Sequence, residues 1–186
     1  KIPNHSIYVP PKYNKEGVLC DPELLAKIEE YKPLKSKIIL KKLKRKKIIL
    51  SAWIEDIFKN YKIKIKKEDF PFYLYRVSVK KLGISRPANL KQIYKKIKKN
   101  GYRLVPPELA LIARIFYKEQ KTGEWLRFAT PLKSMVDRDG VPHLPKLGKA
   151  LNKYFIETYW SYPRAVFHPH NEFVVLKKNV KKNKNQ

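Results

Sequence analysis

The sequence predicts an α+β fold: one small domain with N-terminal helices, a lysine-rich capped helix, a mainly antiparallel sheet and basic arms. Apolar residues recur at helical spacing from Leu50 and again from Leu90, whereas apolar and polar residues alternate from Tyr73 to Lys80. Hydrophobic residues make up 43% of the 186 residues, which is the composition of a folded domain. We therefore expect an α+β core domain over residues 48–176.

The segment before this core is expected to add an arm and one short helix. Residues 1–20 contain three prolines and no sustained apolar period, which indicates an extended arm. The tripeptide Asp-Pro-Glu at 21–23 has the order of a helix N-cap, first position and first turn. We therefore predict a short helix that ends before Pro33, followed by a basic linker that completes the segment 21–47.

Three elements of the core follow with clear signals. An amphipathic stripe from Leu50 to Tyr61 predicts a helix, and the alternation that begins at Tyr73 predicts a half-buried strand. Asn89 and the glutamine three residues later have capping-box spacing, and Gly101 stands where a C-terminal cap belongs. These positions predict a helix over 89–100 with its lysines on the side opposite the apolar stripe.

The second half of the chain predicts one short helix and mainly antiparallel strands. Two prolines and Glu108 begin a helical turn that ends near Ala113. Segments 114–117 and 125–129 have strand composition and flank turn residues 121–123, so we predict a hairpin. A further turn and a final strand are predicted at 137–140 and 173–176.

The distribution of charge is the strongest indication of function. The formal net charge is +27, and no Asp or Glu interrupts residues 31–54 or 70–107. Segregated positive charge is typical of proteins that bind a polyanion. Lysines outnumber arginines 35 to 8, which favours contact with phosphates over the reading of base sequence. We therefore predict a non-enzymatic nucleic-acid-binding protein, with RNA preferred to DNA.

The predicted binding residues come from the basic tracts and from an aromatic segment near the C-terminus. Exposed rings among cations are suited to stacking on unpaired bases. Most aromatics between 154 and 167 are expected in the core, but Tyr159, Trp160 and Tyr162 are expected in an exposed loop. The basic tail, residues 177–186, is expected to be disordered alone and to order on a partner such as a large ribonucleoprotein. The candidates are Lys41, Lys42, Lys44, Arg45, Lys46, Lys47, Lys91, Lys95, Lys96, Lys98, Lys99, Arg103, Tyr159, Trp160, Arg164, Lys177 and Lys178.

A metal-dependent nuclease is the first alternative. Glu108, Glu119 and Lys121 match a pattern in which two acids hold Mg²⁺ and a lysine stands beside the attacked phosphate. Asp137 and Asp139 could add ligands. Each residue also has a simpler interpretation, because an acid favours the first turn of a helix and the others suit turns. We therefore expect no catalytic residues and no metal-dependent cleavage.

A metal site and a protein-binding module are further alternatives. His168 and His170 have the spacing of two ligands on a strand, and His143 could join them. The lone Cys20 excludes an intramolecular disulfide and a cysteine-based zinc site, and it suits a reducing compartment. We expect no cofactor, no membrane span and a cytoplasmic location. The third functional class is a module that binds an acidic protein partner. The first residue is Lys rather than Met, which is compatible with the removal of a leader or an upstream segment.

Part of the chain resembles a group of small bacterial proteins of unassigned function. The resemblance covers roughly residues 50–176 and is carried by RVSVKKLG at 76–83, QIY at 92–94, PE at 107–108 and YKEQKTGEWLR at 117–127. It implies no catalytic residue. The group typically lacks a lysine at position 121, which weighs against a nuclease, and the lysine-rich arms look like additions in this chain.

Overall fold

The computed structural model describes residues 13–15 and 23–177. Along residues 23–177 the elements follow in this order: β1 (Glu23–Ile28), α1 (Ser36–Arg45), β2 (Ile49–Leu50), α2 (Ala52–Phe58), a short 3-10 helix (Lys67–Asp69), β3 (Phe72–Ser78), β4 (Ala88–Asn89), α3 (Leu90–Lys99), β5 (Tyr102–Arg103), α4 (Pro107–Phe116), β6 (Trp125–Phe128), β7 (His143–Ala150), β8 (Lys153–Trp160), β9 (Val166–Phe167) and β10 (Glu172–Lys177).

Most of the strands form one mixed sheet. Their order is β1-β3-β10-β6-β7-β8-β2, and β5 pairs with the end of β10. Neighbouring strands are antiparallel except for β10 with β6 and β2 with β8. A separate two-stranded sheet joins β4 to β9. Helices packed on a mainly antiparallel sheet confirm the predicted α+β class.

The sheet buries apolar side chains on both of its faces. On one side, which we name the α4 face, Leu74, Leu147 and Val174 share a core with α1, α2 and α4. On the other side, the α3 face, Val77 and Phe173 share a core with α3 and the β4–β9 pair. Successive residues of a strand point to opposite faces, so Phe173 and Val174 belong to different cores.

Helix α4 is buried along its whole length between the sheet and α1. Pro107 occupies its first turn, where a missing backbone N–H costs nothing. Glu108 and Arg114 are also buried, at 0% and 2% exposure. A buried charge is costly unless other groups compensate it, so these two side chains need partners within the protein or from a ligand.

Two predictions for the N-terminal region are wrong. Residues 23–28 form strand β1 rather than a helix, because they pair antiparallel with β3. A register shift between Leu24 and Ala26 interrupts the strand, and the adjacent Leu25 and Ala26 are both buried, so the alternation typical of a strand is lost. The predicted basic linker is helix α1, whose Ile39 and Leu43 form a buried stripe.

The predicted hairpin at 114–129 is also wrong. Residues 114–116 continue α4, and β6 takes β7 as its antiparallel partner. The sequence does not predict β7, because Pro145 stands in its middle. Pro145 lacks an N–H, and the β6–β7 ladder stops beside it at the Arg127–Lys146 pair. The sequence predicts a loop for Tyr159 and Trp160, but both lie in β8.

The clearest sequence signals are confirmed. Helix α2, strand β3, helix α3 and strand β10 overlap their predicted ranges, and the turn at 137–140 is present. Within residues 23–177, no helix is long and apolar enough to cross a membrane. Apart from residues 13–15, the predicted arm 1–20 lies outside the described residues, and so does the tail beyond Lys177, which ends β10.

Candidate nucleic-acid interface

Helix α3 presents an apolar side to the core and a lysine side to solvent. Ile93 and Ile97 are fully buried on the α3 face of the sheet. A capping box fixes the start of the helix: Gln92 N donates to Asn89 Oδ1 at 2.9 Å, and Asn89 N donates to Gln92 Oε1 at 3.0 Å. The opposite side carries what we name the lysine face: Lys91, Lys95, Lys96, Lys98 and Lys99.

The lysine face is not neutralised by neighbouring carboxylates. Residues 70–107 contain no Asp or Glu, and none of the ion pairs between described residues involves α3. The helix dipole favours the cations of the last turn, but like charges along one side of a helix repel each other. A polyanion that lies along this side would relieve the repulsion.

A cleft opens between α3 and the loop 83–88. It has a volume of about 570 Å³ and is lined by Arg86, Lys95, Lys96 and Lys99, together with smaller residues of the loop. Asn100 Nδ2 donates to the carbonyl of Leu82 at 3.1 Å, which ties the loop to the end of the helix. The cleft therefore adds an arginine to the same positive surface.

A tight turn at 162–165 packs against the N-terminus of α3. Leu90 N donates to the carbonyl of Ala165 at 2.9 Å, and Lys91 N donates to that of Pro163 at 3.1 Å. These contacts satisfy N–H groups that a helix start leaves unpaired. They also place the exposed Arg164 beside the lysine face, as the predicted site requires.

Strands β6, β7 and β8 carry cations and aromatic rings on the α3 face. We name this group the cation–aromatic patch: Trp125, Arg127, Lys146, Phe155 and Tyr159, all half-buried. The Arg127 guanidinium lies 4.6 Å from the centre of the Tyr159 ring, and Lys146 Nζ lies 5.0 Å from that of Trp125 and 5.7 Å from that of Tyr159. The Trp125 and Phe155 rings are 5.9 Å apart.

The cations of this patch are poorly solvated. Burial lowers the pKa of Arg127. Burial together with repulsion from Arg127 lowers the pKa of Lys146, although the charge of Glu157, which pairs with Lys146 across the β7–β8 ladder, partly counters this. Arg127 Nε is buried and has no hydrogen-bond partner among the described residues. Gly148 leaves room for the neighbouring indole, since a Cβ there would lie 2.1 Å from the Trp125 ring. The patch thus holds one guanidinium donor without a protein partner, beside closely set rings.

The basic tract of α1 lies on the other side of the molecule. Helix α1 packs against the α4 core, so Lys41, Lys42, Lys44, Arg45, Lys46 and Lys47 do not join the lysine face. Lys44 forms an ion pair with Glu55, and Lys42 lies over the Tyr31 ring. Trp160 is 64% exposed but belongs to the α4 face, opposite His143 in the β7–β8 ladder. The structure therefore divides the predicted binding residues between two surfaces.

The remaining predicted cations lie at the edge of the sheet or outside the described residues. Arg103 is exposed on β5, which pairs with the end of β10. Lys177 Nζ lies 5.2 Å from the centre of the Tyr75 ring, which packs with the α3 core. Lys177 can therefore extend the α3 face, whereas Lys178 lies outside the described residues.

The structure does not bring the proposed nuclease residues together. Glu108 lies in the first turn of α4, where Lys64 N donates to its Oε2 at 3.1 Å, and Glu119 and Lys121 follow the other end of that helix. An α-helix rises ~1.5 Å per residue, so roughly 12 Å of helix separates the two acids. Asp137 shapes its turn by accepting from the backbone N–H groups of Asp139 and Val141 at 2.9 and 3.0 Å.

His143 lies apart from His168 and His170, the other two candidate metal ligands. His143 is 1% exposed on the α4 face; its Nε2 lies 2.8 Å from Asp137 Oδ2 and its Nδ1 lies 3.0 Å from Thr158 Oγ1. The contact with His143 lowers the pKa of Asp137. His168 and His170 stack on each other in the turn before β10, with ring centres 5.6 Å apart. Along the described chain, no group of three His, Cys, Asp or Glu is arranged to hold a metal ion.

Sequence reasoning finds the lysine face but misses most of the cation–aromatic patch. Trp125 and Arg127 alternate with apolar residues, which is a usable strand signal. The sequence does not predict Lys146 and Gly148 as part of the patch, because β7 does not have strand composition. Comparisons with models of known protein families, with curated proteins and with solved structures found no match to this chain.

Proposed function

We propose that this protein binds single-stranded nucleic acid, RNA in preference to DNA, through the α3 face of its sheet. The observation that carries the proposal is that helix α3, which bears the lysine face, and the cation–aromatic patch lie on the same side of one sheet. Lysines contact phosphates as flexible point charges, and aromatic rings stack on unpaired bases. The two groups together supply both kinds of contact that a single strand offers.

In this proposal the patch accepts bases after a small rearrangement. Lys146 lies across the faces of Trp125 and Tyr159, which is where a base would stack. Its four-carbon stem is flexible, so the ammonium can swing from the rings to a phosphate. Arg127 remains between Tyr159 and Phe167 and offers its guanidinium to the strand.

Phosphate contact through lysine carries little sequence information, so the proposed binding is general rather than sequence-specific. The proposal includes the cytoplasm as compartment, in keeping with the lone cysteine. It also includes assembly into a large ribonucleoprotein, whose RNA would offset the net charge of +27.

The first test removes charge from one face of the molecule at a time. Lys91, Lys95, Lys98 and Lys99 are changed to Gln together. The matched control changes Lys35, Lys37, Lys41 and Arg45, which are equally exposed on the opposite side. Fluorescence anisotropy with unrelated single-stranded RNAs is measured over a range of salt. The α3 variant should weaken the binding of all RNAs together. It should also reduce the slope of log affinity against log salt concentration by up to about 3, since each phosphate contact on a single strand adds about 0.7.

The control variant distinguishes RNA binding at one surface from a general effect of the net charge. It should retain most of the affinity, because it removes the same charge from a surface that the proposal leaves free. Equal losses in the two variants, or RNA binding that does not depend on salt, would contradict the proposal. A polyglutamate chain that competes as well as RNA of equal charge would favour the acidic protein partner instead.

The second test addresses the aromatic contribution. Phe155→Ala should weaken binding of RNA by about tenfold, since stacking contributes roughly 1–3 kcal/mol per base. Phe70→Ala is the control, because Phe70 is also half-buried but packs with the α4 core. The same titration with DNA of equal sequence should give weaker binding. Unchanged binding by Phe155→Ala would remove the patch from the interface, and tighter binding of DNA would reverse the preference.

A further inference from the structure

A second cationic site lies on the α4 side of the molecule. Arg114, Lys46, Lys118, Tyr117, Tyr154 and two isoleucines line a cavity of about 230 Å³, which we name the Arg114 cavity. Arg114 comes from α4, Lys46 follows α1, and Lys118 follows α4. Two cations from α4 and the residues after it thus meet one cation from the end of α1 at a single cavity, and no carboxylate lines it.

The guanidinium of Arg114 is held in place by neutral groups. Its Nη1 donates to Gln120 Oε1 at 2.6 Å and to the carbonyl of Gly148 at 3.1 Å, and its Nη2 donates to the carbonyl of Tyr117. It also lies 4.7 Å from the centre of the Tyr154 ring. These contacts orient the side chain without neutralising its charge.

Three of the five N–H groups of this guanidinium donate within the protein, and the other two have no acceptor among the described residues. Arg114 Nε is buried and has no hydrogen-bond partner among the described residues, and Arg114 itself is 2% exposed. The oxygens of Glu124, an acid whose charge reaches Arg114, already accept from Tyr117 and Arg76. A buried charge that no carboxylate pairs is costly, and the negative charge of an anion in the cavity would offset part of that cost.

The positive charges of the lysines at the cavity repel each other. Burial lowers the pKa of Lys46, and repulsion from Lys118 and Lys42 lowers it further. Burial also lowers the pKa of Arg114 to about 10. One guanidinium and two lysine side chains thus meet at the cavity, which favours an anion of more than one charge.

We propose that the Arg114 cavity binds a phosphate monoester. A phosphate monoester is doubly charged near neutral pH and offers several acceptor oxygens, which matches one guanidinium and two ammonium groups. The volume suits the phosphate and part of its organic group but is below the usual range for a whole ligand. The Tyr154 ring and the isoleucines supply an apolar wall for that part.

A phosphate monoester that binds in this cavity can come from two sources: the terminal phosphate of a nucleic acid or a free mononucleotide. The site lies on the α4 side, so it is independent of the proposed interface on the α3 face. Variants of the lysine face should therefore leave it unchanged, and either proposal can fail without the other.

The test uses adenosine monophosphate, with adenosine as its uncharged counterpart, at constant ionic strength. Adenosine monophosphate should raise the midpoint of thermal unfolding of the full chain, and adenosine should not. Lys46→Gln with Lys118→Gln should weaken the binding measured by calorimetry about tenfold or more. Lys37→Gln, an exposed charge on α1 outside the cavity, should not. Arg114→Met should abolish the shift, and the lysine pair keeps the test valid if that variant does not fold.

A second arm identifies the source of the phosphate. An RNA with a 5′-phosphate should displace adenosine monophosphate from the lysine-face variant if the site takes strand ends, whereas the same RNA with a 5′-hydroxyl should not. Displacement by neither RNA assigns the site to free nucleotides. Equal responses to adenosine and adenosine monophosphate, or equal binding by the double lysine variant and wild type, would overturn the proposal.

Discussion

Arg76 and Arg114 are both buried, at 1% and 2% exposure, yet their surroundings are opposite. Arg76 pairs with Glu172 at 2.8 Å and with Glu124 at 3.3 Å, and it donates to the Tyr13 hydroxyl at 2.8 Å. Arg114 donates to two carbonyls and an amide oxygen and lies against aromatic rings, and among the described residues no carboxylate accepts from it. One charge is balanced within the fold, whereas the other is not.

The same comparison appears in the pKa values. Burial on its own would lower the pKa of Arg76, but the hydrogen bond and charge of Glu172, with the charge of Glu124, outweigh it and raise the pKa. For Arg114, burial dominates and lowers the pKa to about 10. Breaking a buried ion pair leaves an unpaired charge, whereas removing an unpaired charge removes a cost. The two arginines are similarly buried, but their partners differ. The paired charge of Arg76 therefore indicates a structural role, whereas the charge of Arg114 is available to a ligand.

Arg76→Met should give the largest loss of stability. The substitution leaves Glu124 and Glu172 without their cation, and both carboxylates are largely buried. Removing one partner of a buried pair costs about 3–5 kcal/mol in the free energy of unfolding. Urea denaturation measures the loss, with the exposed Arg138→Met as a control that should change stability by less than about 0.5 kcal/mol. A loss no larger than the control would show that the pairs contribute nothing.

Arg114→Met should cost less, about 1–3 kcal/mol in a buffer free of phosphate. Three acceptors lose their donor, which is destabilising, but the removal of an unbalanced buried charge offsets part of that loss. The same denaturation experiment gives the difference from Arg76→Met. A loss equal to or greater than that of Arg76→Met would mean that Arg114 is a structural charge, and the contrast between the two arginines would be wrong.

The sequence could predict the elements whose signals are local. The capping box of α3, the alternation in β3 and the turn at 137–140 each lie within a few residues, so their patterns survive in the sequence. The lysine face follows from α3 directly. Arg114, in contrast, appears in the sequence as the first residue of a hairpin strand, since nothing local shows that α4 continues through it.

The remaining features depend on distant partners. Residues 23–28 become a strand only because β3 lies beside them, and β7 forms despite Pro145 because β6 and β8 flank it. Gln120, which lies between two proposed nuclease residues, is buried by its bonds to Arg114 and to the carbonyl of Leu147. Pairings over such distances leave no periodic pattern in the sequence, so most of the cation–aromatic patch and the Arg114 cavity could not be predicted.

The smallest effect is expected at a buried charge of the opposite sign. Burial raises the pKa of Glu108, although the N–H of Lys64 and the side chain of Tyr61 partly counter this. A carboxyl whose pKa is higher in the folded state binds its proton more readily there, so its ionisation above that pKa destabilises the protein. Glu108→Gln keeps an oxygen for the N–H of Lys64 and removes the charge. It should therefore raise stability at neutral pH by less than about 1 kcal/mol.

The pH dependence distinguishes this charge effect from a packing effect. As the pH falls through the raised pKa, the wild-type carboxyl becomes neutral, and its difference from Gln should vanish by about pH 4. Urea denaturation of both proteins at several pH values measures that difference. Glu108 would then resemble Arg114, because each is a buried charge that the fold tolerates at a cost. A loss of stability at neutral pH would instead place Glu108 with Arg76, as a charge that its neighbours require.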